Sequence, residues 1–206
     1  TFENRVLGGQ PRYRTRDSYY EEKLWAFNTK LDKAFSLGST QHALVYGLDF
    51  KQLKNADLRK GGETVLATGI TTPVAPTSDF PDPTTQEYAL FAQDSISIGR
   101  WTLLPGLRYD RYEMQPHVTD KYLNSQASDA NPGDFTDSAL SPKFGVTYQL
   151  DDAHSVYGQY AAGFRAPQAI EIFGEFANPG MYRTLANTNL KAETSDSFEL
   201  GLRGQY

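Results

Sequence analysis

The 206-residue chain lacks cysteine entirely and contains only two methionines and three histidines. Without cysteine it has neither a disulfide framework nor thiol chemistry. The histidines show no spacing typical of a metal site. The formal net charge of -5 also argues against nucleic acid as a partner, because proteins that bind nucleic acid present basic patches. These absences remove several common classes of function.

Long hydrophobic runs are missing as well. The mean hydropathy is -0.56, and no stretch approaches the roughly 20 apolar residues of a transmembrane helix. A membrane-spanning β-strand needs only about 9–11 residues, of which every second one is apolar, so its average hydropathy is low. The 13 tyrosines and 12 phenylalanines would supply the aromatic girdles of such a barrel.

Alternating apolar and polar residues predict β-strands along most of the chain. Leu44, Tyr46, Leu48 and Phe50 share one face of a segment whose other face carries polar residues or glycine. The predicted strands cover Tyr20–Phe35, Gln41–Leu53, Glu87–Ile98, Trp101–Tyr109, Leu140–Leu150, Ser155–Phe164 and Asp196–Tyr206. Pro105 and Pro142 are expected near strand ends or bulges, because proline cannot donate to a ladder.

The connections between these segments alternate in length. Short turns are predicted at Leu37–Gln41, Gly99–Trp101 and Asp151–His154, and long polar loops at about Asn55–Gln86, Gln115–Ser138 and Ala166–Thr194. In an outer-membrane barrel, one rim has short periplasmic turns and the other has the extracellular loops. Amphipathic strands alone would equally fit a half-exposed soluble sheet, so the sorted loops are what favour a membrane barrel.

We therefore expect an all-β fold, an antiparallel transmembrane β-barrel of which residues 1–206 are a part. An open sheet of seven strands would leave edge strands with unpaired backbone groups in a lipid bilayer, which indicates that this chain is a piece of a larger barrel of roughly 22 strands. Residues Thr1–Ser18 are expected to be the end of a preceding extracellular loop. The remaining strands and any plug domain would lie outside this segment.

Three sequence boxes resemble a known family. They are the segments Pro105–Asp110, Phe164–Pro167 (Phe-Arg-Ala-Pro) and Asn187–Thr194 (Asn-Thr-Asn-Leu-Lys-Ala-Glu-Thr), the last followed by Phe-Glu-Leu-Gly from Phe198. These boxes are similar to the barrel signatures of TonB-dependent outer-membrane receptors, and the spacing of the last two most resembles that of the haem and haemoglobin receptors. Cobalamin receptors carry similar boxes.

The two later boxes enclose one predicted extracellular loop, residues 168–186. Pro167 cannot continue a ladder, and Arg165 offers a rigid donor fork for loop carbonyls or a carboxylate. We interpret the signature residues mainly as staples at the base of this loop, and direct ligand contact by Arg165 is the alternative. The signature residues are Phe164, Arg165, Ala166, Pro167, Asn187, Asn189, Leu190 and Glu193.

The resemblance implies haem as the transported ligand and no intrinsic cofactor. In the haem receptors a histidine between the boxes commonly binds the iron, but this loop has none. Tyr182 is the leading axial candidate, because tyrosinate is a haem ligand that suits ferric iron. Met181 and His117 are weaker candidates, Glu171 and Glu175 are poorer ones within the loop, and apart from haem iron we expect no metal. Asp129, Asp134 and Asp137 surround an Asn-Pro-Gly turn and match no calcium-loop pattern.

The resemblance also implies a bacterial outer-membrane, multi-pass receptor surrounded by outer-membrane lipid. Its expected partners are haem or a haem-carrier protein and, through the plug, the TonB complex. No catalytic residue is expected, so the chain is not predicted to be an enzyme. The alternatives are a cobalamin or siderophore receptor, an outer-membrane esterase or protease, and a soluble adhesive β-domain.

Overall fold

The computed structural model describes residues 2–125, 132–178 and 182–204, and antiparallel strands dominate it. Along the chain, the described elements are β1 (Phe2–Leu7), β2 (Gln10–Leu37), β3 (Thr40–Val65), β4 (Thr71–Thr77), β5 (Asp82–Ile98), β6 (Trp101–His117), α1 (Asp120–Leu123), β7 (Phe135–Gln149), β8 (His154–Arg165), α2 (Ala169–Phe173), β9 (Phe176–Asn178), β10 (Tyr182–Thr184) and β11 (Glu193–Gly204).

One continuous sheet joins the long strands in the order β1-β2-β3-β5-β6-β7-β8-β11, and β4 adds to the far end of β3. All pairs in this sheet are antiparallel, and each long strand pairs with the long strand that follows it in the chain. The short strand β4 pairs with β3. β9 and β10 form a separate two-stranded pair within the last loop. The seven long strands from β2 to β11 confirm the predicted fold class, a partial antiparallel barrel. The two short additions, β1 and β4, belong to the extracellular end.

The outer face of this sheet carries a band of apolar side chains, which we call the outer belt. On strands that are paired on both sides, Leu90 is 60% exposed, Leu140 59% and Leu107 48%, so large apolar side chains form one wide exposed surface. Cross-strand register places the belt residues beside one another, including Phe27, Leu31, Tyr46, Leu48, Phe50, Tyr88, Leu90, Leu107, Tyr109, Leu140, Phe144, Val156, Phe198, Leu200 and Leu202. The belt is the surface expected to meet lipid.

Aromatic residues border the outer belt at both ends. Trp101 and Tyr148 pack with ring centroids 4.5 Å apart at the short-turn end, and Phe50 and Tyr88 pack at 5.2 Å toward the other. On β6, Trp101 and Tyr109 lie about 27 Å apart along the strand at roughly 3.4 Å per residue, which a tilt of about 40° reduces to about 20 Å of height. This height is close to the apolar band of an outer-membrane barrel.

The inner face is polar and held by ion pairs. Arg108 donates to Asp49 at 2.7 Å and to Asp110 at 2.9 Å, and Asn28 donates to Asp49 at 2.9 Å. Farther around the sheet, the Tyr157 hydroxyl donates to Glu199 at 2.7 Å. Because successive side chains of a strand point to opposite faces, the polar groups lie on the inner face and the belt residues on the outer face of the same strands.

The short turns are where the sequence predicts them. β2 and β3 are joined across Gly38 and β5 and β6 across Gly99, with φ of 59° and 56° at these glycines. Two-residue hairpin turns need positive φ, which only glycine adopts without strain. The third turn, after Gln149, is closed by Asp151, whose carboxylate accepts the backbone N–H groups of Ala153 and His154 at 2.8 Å each.

The strands extend farther on the extracellular side than the sequence predicts. Residues 1–18 were expected in a loop, but residues 2–7 form β1 and β2 begins at Gln10; β3 likewise continues to Val65. Beyond the outer belt both faces of a strand carry polar residues, so the apolar alternation by which the sequence predicts a strand is absent. Pairing between β2 and β3 nevertheless continues without a register shift from Leu37↔Thr40 to Arg12↔Val65.

The positions of the two prolines correct another expectation. Pro105 and Pro142 lie inside β6 and β7 rather than at their ends. Each nevertheless coincides with a break in pairing. The β5–β6 ladder skips residues 94–95 opposite 104–105, and the β7–β8 ladder stops at Lys143↔Ala161. Proline is accommodated where its missing N–H is not required.

Neither helix in the described part of the chain is long and apolar enough to cross a membrane.

We expect spin labels on the two opposite faces of β11 to report different environments, hydrocarbon on one face and water on the other. In the full-length receptor in lipid, a label at Leu200→Cys should relax faster with oxygen, which partitions into hydrocarbon. A label at Ser197→Cys, on the inner face of the same strand, should respond more to a water-soluble nickel complex. Electron paramagnetic resonance accessibility measures both. Equal responses at the two sites would contradict the assignment of the faces.

Candidate functional site

The two sequence boxes meet at the base of the last extracellular loop. Arg165 ends β8 and Glu193 begins β11, and the two residues are direct cross-strand partners. The Arg165 guanidinium donates to Glu193 through Nε and Nη2 at 3.0 and 2.9 Å. It also donates to Glu171 through Nη1 and Nη2 at 3.1 and 3.0 Å. One guanidinium therefore clamps both ends of the loop, as its planar five-donor fork permits.

Glu171 belongs to the short helix α2 and closes a capping box with Gln168. Its Oε2 accepts the backbone N–H of Gln168 at 2.7 Å, so the helix start and the clamp share one carboxylate. The hydrogen bonds donated by Arg165, and then the one from Gln168, hold the pKa of Glu171 below its usual range. The carboxylate therefore stays charged at any pH near neutral.

Below the clamp, α2 anchors a cluster of apolar side chains that we call the loop core. Its members come from three different loops and the strand ends beneath them: Phe80, Tyr112, Met114, Phe135, Ile172 and Phe173. Ile172 and Phe173 are fully buried, and Ala166, Ala169 and Leu190 pack against the cluster. Tyr112 and Met114 lie on the inner face of β6, so α2 covers the inner face of the sheet at this end of the strands.

Polar contacts also join these loops, and the backbone N–H of Glu175 in the third loop donates to the Asp79 carbonyl in the first at 2.9 Å. The Asp57 carboxylate accepts the backbone N–H of Asp79 at 2.8 Å, and Arg59 forms an ion pair with Asp79. Lys121, on α1, donates to the Asp57 carbonyl and pairs with Asp82, each at 2.7 Å. These extracellular connections therefore form one packed unit rather than three independent loops.

The remaining signature residues complete the loop base. The Asn187 backbone N–H donates to the Ile172 carbonyl at 2.8 Å, and the Asn187 side chain accepts the N–H of Asn189 at 3.1 Å. Such an Asx turn explains why asparagine is suited to this position. Pro167 is buried, and its carbonyl accepts the Tyr112 hydroxyl at 3.3 Å. Nearby, Asp137 accepts the N–H of Ala192 at 3.0 Å.

A cavity of about 670 Å³, which we call the vestibule, lies between α2 and the inner face of the sheet. Its wall mixes charged or polar groups with apolar ones, and it includes the box residues Phe164, Ala166 and Pro167 together with Tyr20, Glu22, Lys51, Asn55, Phe80, Glu87, Asp110, Tyr112, Met114 and Ile170. Lys51 and Glu87 form an ion pair at 3.1 Å. The volume lies in the range of small-molecule and cofactor sites.

The structure describes the side chain of one of the three candidate iron ligands, His117. Tyr182 begins β10 in the enclosed loop, but its side chain lies outside the described part of the structure, as does Met181 altogether. His117 ends β6 on the outer face, and its Nε2 lies 3.0 Å from the Thr84 hydroxyl. Since Tyr112 and Met114 have the opposite parity on β6, His117 points away from the vestibule.

The other metal-related expectations concern histidine and aspartate. His42 lies on the outer face, with its Nε2 2.8 Å from the Thr40 hydroxyl and its Nδ1 2.6 Å from the Asp94 carboxylate. Asp129 lies outside the described residues. No group of three or more histidine, aspartate or glutamate side chains that could hold a metal ion occurs within residues 2–125, 132–178 and 182–204.

The sequence analysis did not predict most of the loop core or the polar contacts that Asp57 and Asp79 make with Arg59 and Lys121. A weak signal exists, because Phe80 and the Ile172–Phe173 pair are apolar residues in otherwise polar connections. A single sequence does not show that these residues pack in one cluster, because they lie about 90 residues apart and only the folded sheet brings them together.

Comparison with known families gives a match over the whole chain. The family described as "TonB dependent receptor-like, beta-barrel" matches residues 1–206. Among curated proteins, the chain is 23% identical to the hemoglobin and hemoglobin-haptoglobin-binding protein A of Haemophilus influenzae, over 97% of this chain and 26% of that protein. It is 30% identical to the hemoglobin-haptoglobin utilization protein B of Neisseria meningitidis, over 51% and 13%.

A further relative binds a different cargo. The metal-pseudopaline receptor CntO of Pseudomonas aeruginosa is 27% identical over 81% of this chain and 25% of that protein. The chain therefore spans about a quarter or less of the length of these curated relatives.

Solved structures show the same fold at lower identity. The hemophore receptor HasR of Serratia marcescens, solved with its hemophore HasA and heme, matches with a TM-score of 0.65 and 19% identity over 94% of this chain and 32% of that chain. The unliganded ferric citrate transporter FecA matches with a TM-score of 0.59 and 18% identity over 98% and 27%. This chain covers about a third or less of the length of each of these two chains.

We expect Arg165→Leu to loosen the loop it clamps. Backbone amides of residues 168–175 in the full-length receptor should exchange with deuterium about tenfold faster, because charge-assisted hydrogen bonds to two glutamates are lost. Hydrogen exchange read by mass spectrometry checks this. The matched control is Arg100→Leu, since Arg100 is an exposed arginine at the short turn between β5 and β6, where it donates to the Leu150 carbonyl at 2.9 Å. Unchanged exchange in Arg165→Leu would show that the clamp is not holding α2.

The same loop should respond to acid with a defined sign. Because the pKa of Glu171 is lowered in the folded loop, the stabilisation is fully present above its ordinary value of 4.5 and is lost as the pH falls further, through the lowered pKa. After correction for intrinsic exchange rates, protection of residues 168–175 should be constant from pH 7 to 5 and decline below 4.5. Glu171→Gln should show lower protection with a flatter acid response. A decline between pH 7 and 5 would contradict this assignment.

Proposed function

The chain belongs to the TonB-dependent receptor-like β-barrel family, and from this premise we propose that the protein containing it is an outer-membrane receptor that imports haem. Uptake would be energised by the TonB complex acting on a plug. The chemistry is recognition and passage, so the proposal assigns no catalytic residue. Its location would be the bacterial outer membrane, with the outer belt in contact with lipid.

The observation that carries this proposal is the vestibule with the sequence boxes in its wall. Phe164, Ala166 and Pro167 line the cavity directly, whereas Arg165 is engaged by the two glutamates. Haem is a broad apolar plate with two carboxylates on one edge, and the vestibule offers both apolar and charged wall groups. The boxes would thus shape a binding chamber by holding α2 over it.

Support for haem over other cargoes comes from relatives. Two curated relatives are named for haemoglobin and haptoglobin, and HasR was solved with a hemophore and heme. We propose that this receptor likewise takes haem from a carrier protein that contacts its extracellular loops. Tyr182 would supply the axial ligand, because tyrosinate favours ferric iron. Met181 is a weaker choice, and His117 weaker still since it faces outward.

A different cargo is the second candidate. The match to CntO covers 81% of the chain, and FecA shares the fold, so an iron or other metal chelate such as a siderophore complex is the alternative ligand. The same vestibule would receive it, but the proposed role of Tyr182 would then disappear. Dependence on this tyrosine therefore discriminates between the two cargoes.

We expect Tyr182→Phe to weaken ferric haem binding by the full-length receptor. Loss of the phenolate should shift the Soret band and reduce growth on haem as the sole iron source, with unchanged amounts of protein in the outer membrane. Tyr19→Phe, an exposed tyrosine on the extracellular part of β2, is the matched control and should behave like wild type. A wild-type receptor that gives no Soret change with haem, or normal growth of Tyr182→Phe, would contradict haem ligation by this residue.

A further inference from the structure

Three arginines alternate on the extracellular part of β2. Arg12, Arg14 and Arg16 are separated by single residues, so all three project from the same face of the strand. We call them the arginine row. Their parity is that of Tyr20 and Glu22, which line the vestibule, and register with β3 is unbroken between them. The row therefore overlooks the inner side of the extracellular sheet, above the vestibule.

Two members of this row, Arg12 and Arg14, have donors without an acceptor in the described part of the chain. Arg12 forms an ion pair with Glu63 at 3.3 Å, while its Nε is buried and finds no hydrogen-bond acceptor among the described residues. The Arg14 guanidinium forms no hydrogen bond or ion pair with the described part of the chain. Arginine forks suit carboxylates, which accept two parallel hydrogen bonds.

The row lies at some distance from the vestibule. The cross-strand partner of Arg16 is Gly61, whose backbone packs closely against Thr15. Arg14 lies about 20 Å above Tyr20 along the strand, at roughly 3.4 Å per residue. A ligand touching the arginine row would therefore be approaching the vestibule and would not yet be seated in it.

We propose that the arginine row is a capture site for the carboxylate edge of a small anionic cargo. This inference rests on the proposed function, because it supplies a route into the vestibule for a carboxylate-bearing ligand such as haem. Positive charge on one wall of an opening raises the local concentration of anions and their association rate. The row thus acts before the cargo is bound, and Arg12 and Arg14 are its principal donors.

The test measures association of full-length receptor with two probes, ferric haem and its dimethyl ester, which lacks the two negative charges. In the Arg12→Gln/Arg14→Gln variant, the association rate for haem should fall about tenfold and that for the ester should not change. The charge-matched control is Lys54→Gln/Lys60→Gln, since both lysines are exposed on the opposite face of β3. It should leave both rates unchanged.

Ferric citrate serves as a third probe, so that failure of the proposed function is distinguishable. If wild type binds ferric citrate but not haem, the haem proposal fails, and the row is supported only if the arginine variant slows citrate association. The capture site is overturned if the arginine variant associates with every probe at the wild-type rate, or if its association rates for haem and for the ester fall equally. It is also overturned if the wild-type receptor binds no probe. It is also overturned if only haem delivered by haemoglobin is affected, because the row would then contact a protein.

Discussion

Strict alternation of side chains along paired strands is the constraint on which this structure depends. A strand that crosses lipid must satisfy every backbone group through its neighbours, while its side chains face hydrocarbon and water in turn. The sheet from β2 to β11 meets both demands, with the outer belt on one face and the network around Arg108 on the other. A shift of one residue in any pair would exchange the two sets and bury charge in lipid.

Above the membrane this constraint is relaxed, and local packing takes over. There the strands continue with polar residues on both faces, and the connections condense around the loop core. Two kinds of interaction fix that unit: apolar burial of Ile172 and Phe173, and ion pairs centred on Arg165 and Asp79. All three long connections contribute residues to this unit.

The geometry of the boxes links their structural role to recognition. Arg165 donates its hydrogen bonds to Glu171 and Glu193, so few donors remain for a ligand. The same hydrogen bonds hold α2 above the vestibule. Its neighbours on either side line the cavity instead. A signature that identifies the family can therefore describe the frame of a binding chamber, while the cargo is chosen by residues outside the boxes, such as Tyr182 and the arginine row in our proposals.

The sequence by itself determined the strand class, the three tight turns and the inward or outward direction of each side chain within the membrane. It did so because period-two alternation and turn glycines are local signals. It did not reveal β1, the extracellular parts of β2 and β3, or the pairing gaps that accommodate Pro105 and Pro142, since none of these has an amphipathic pattern. Only the tertiary structure decided that Phe80, Met114 and Phe173 share one core and that His117 faces away from the vestibule. Those facts depend on register between strands distant in the chain, which the free energy of the whole sheet fixes and no short segment encodes.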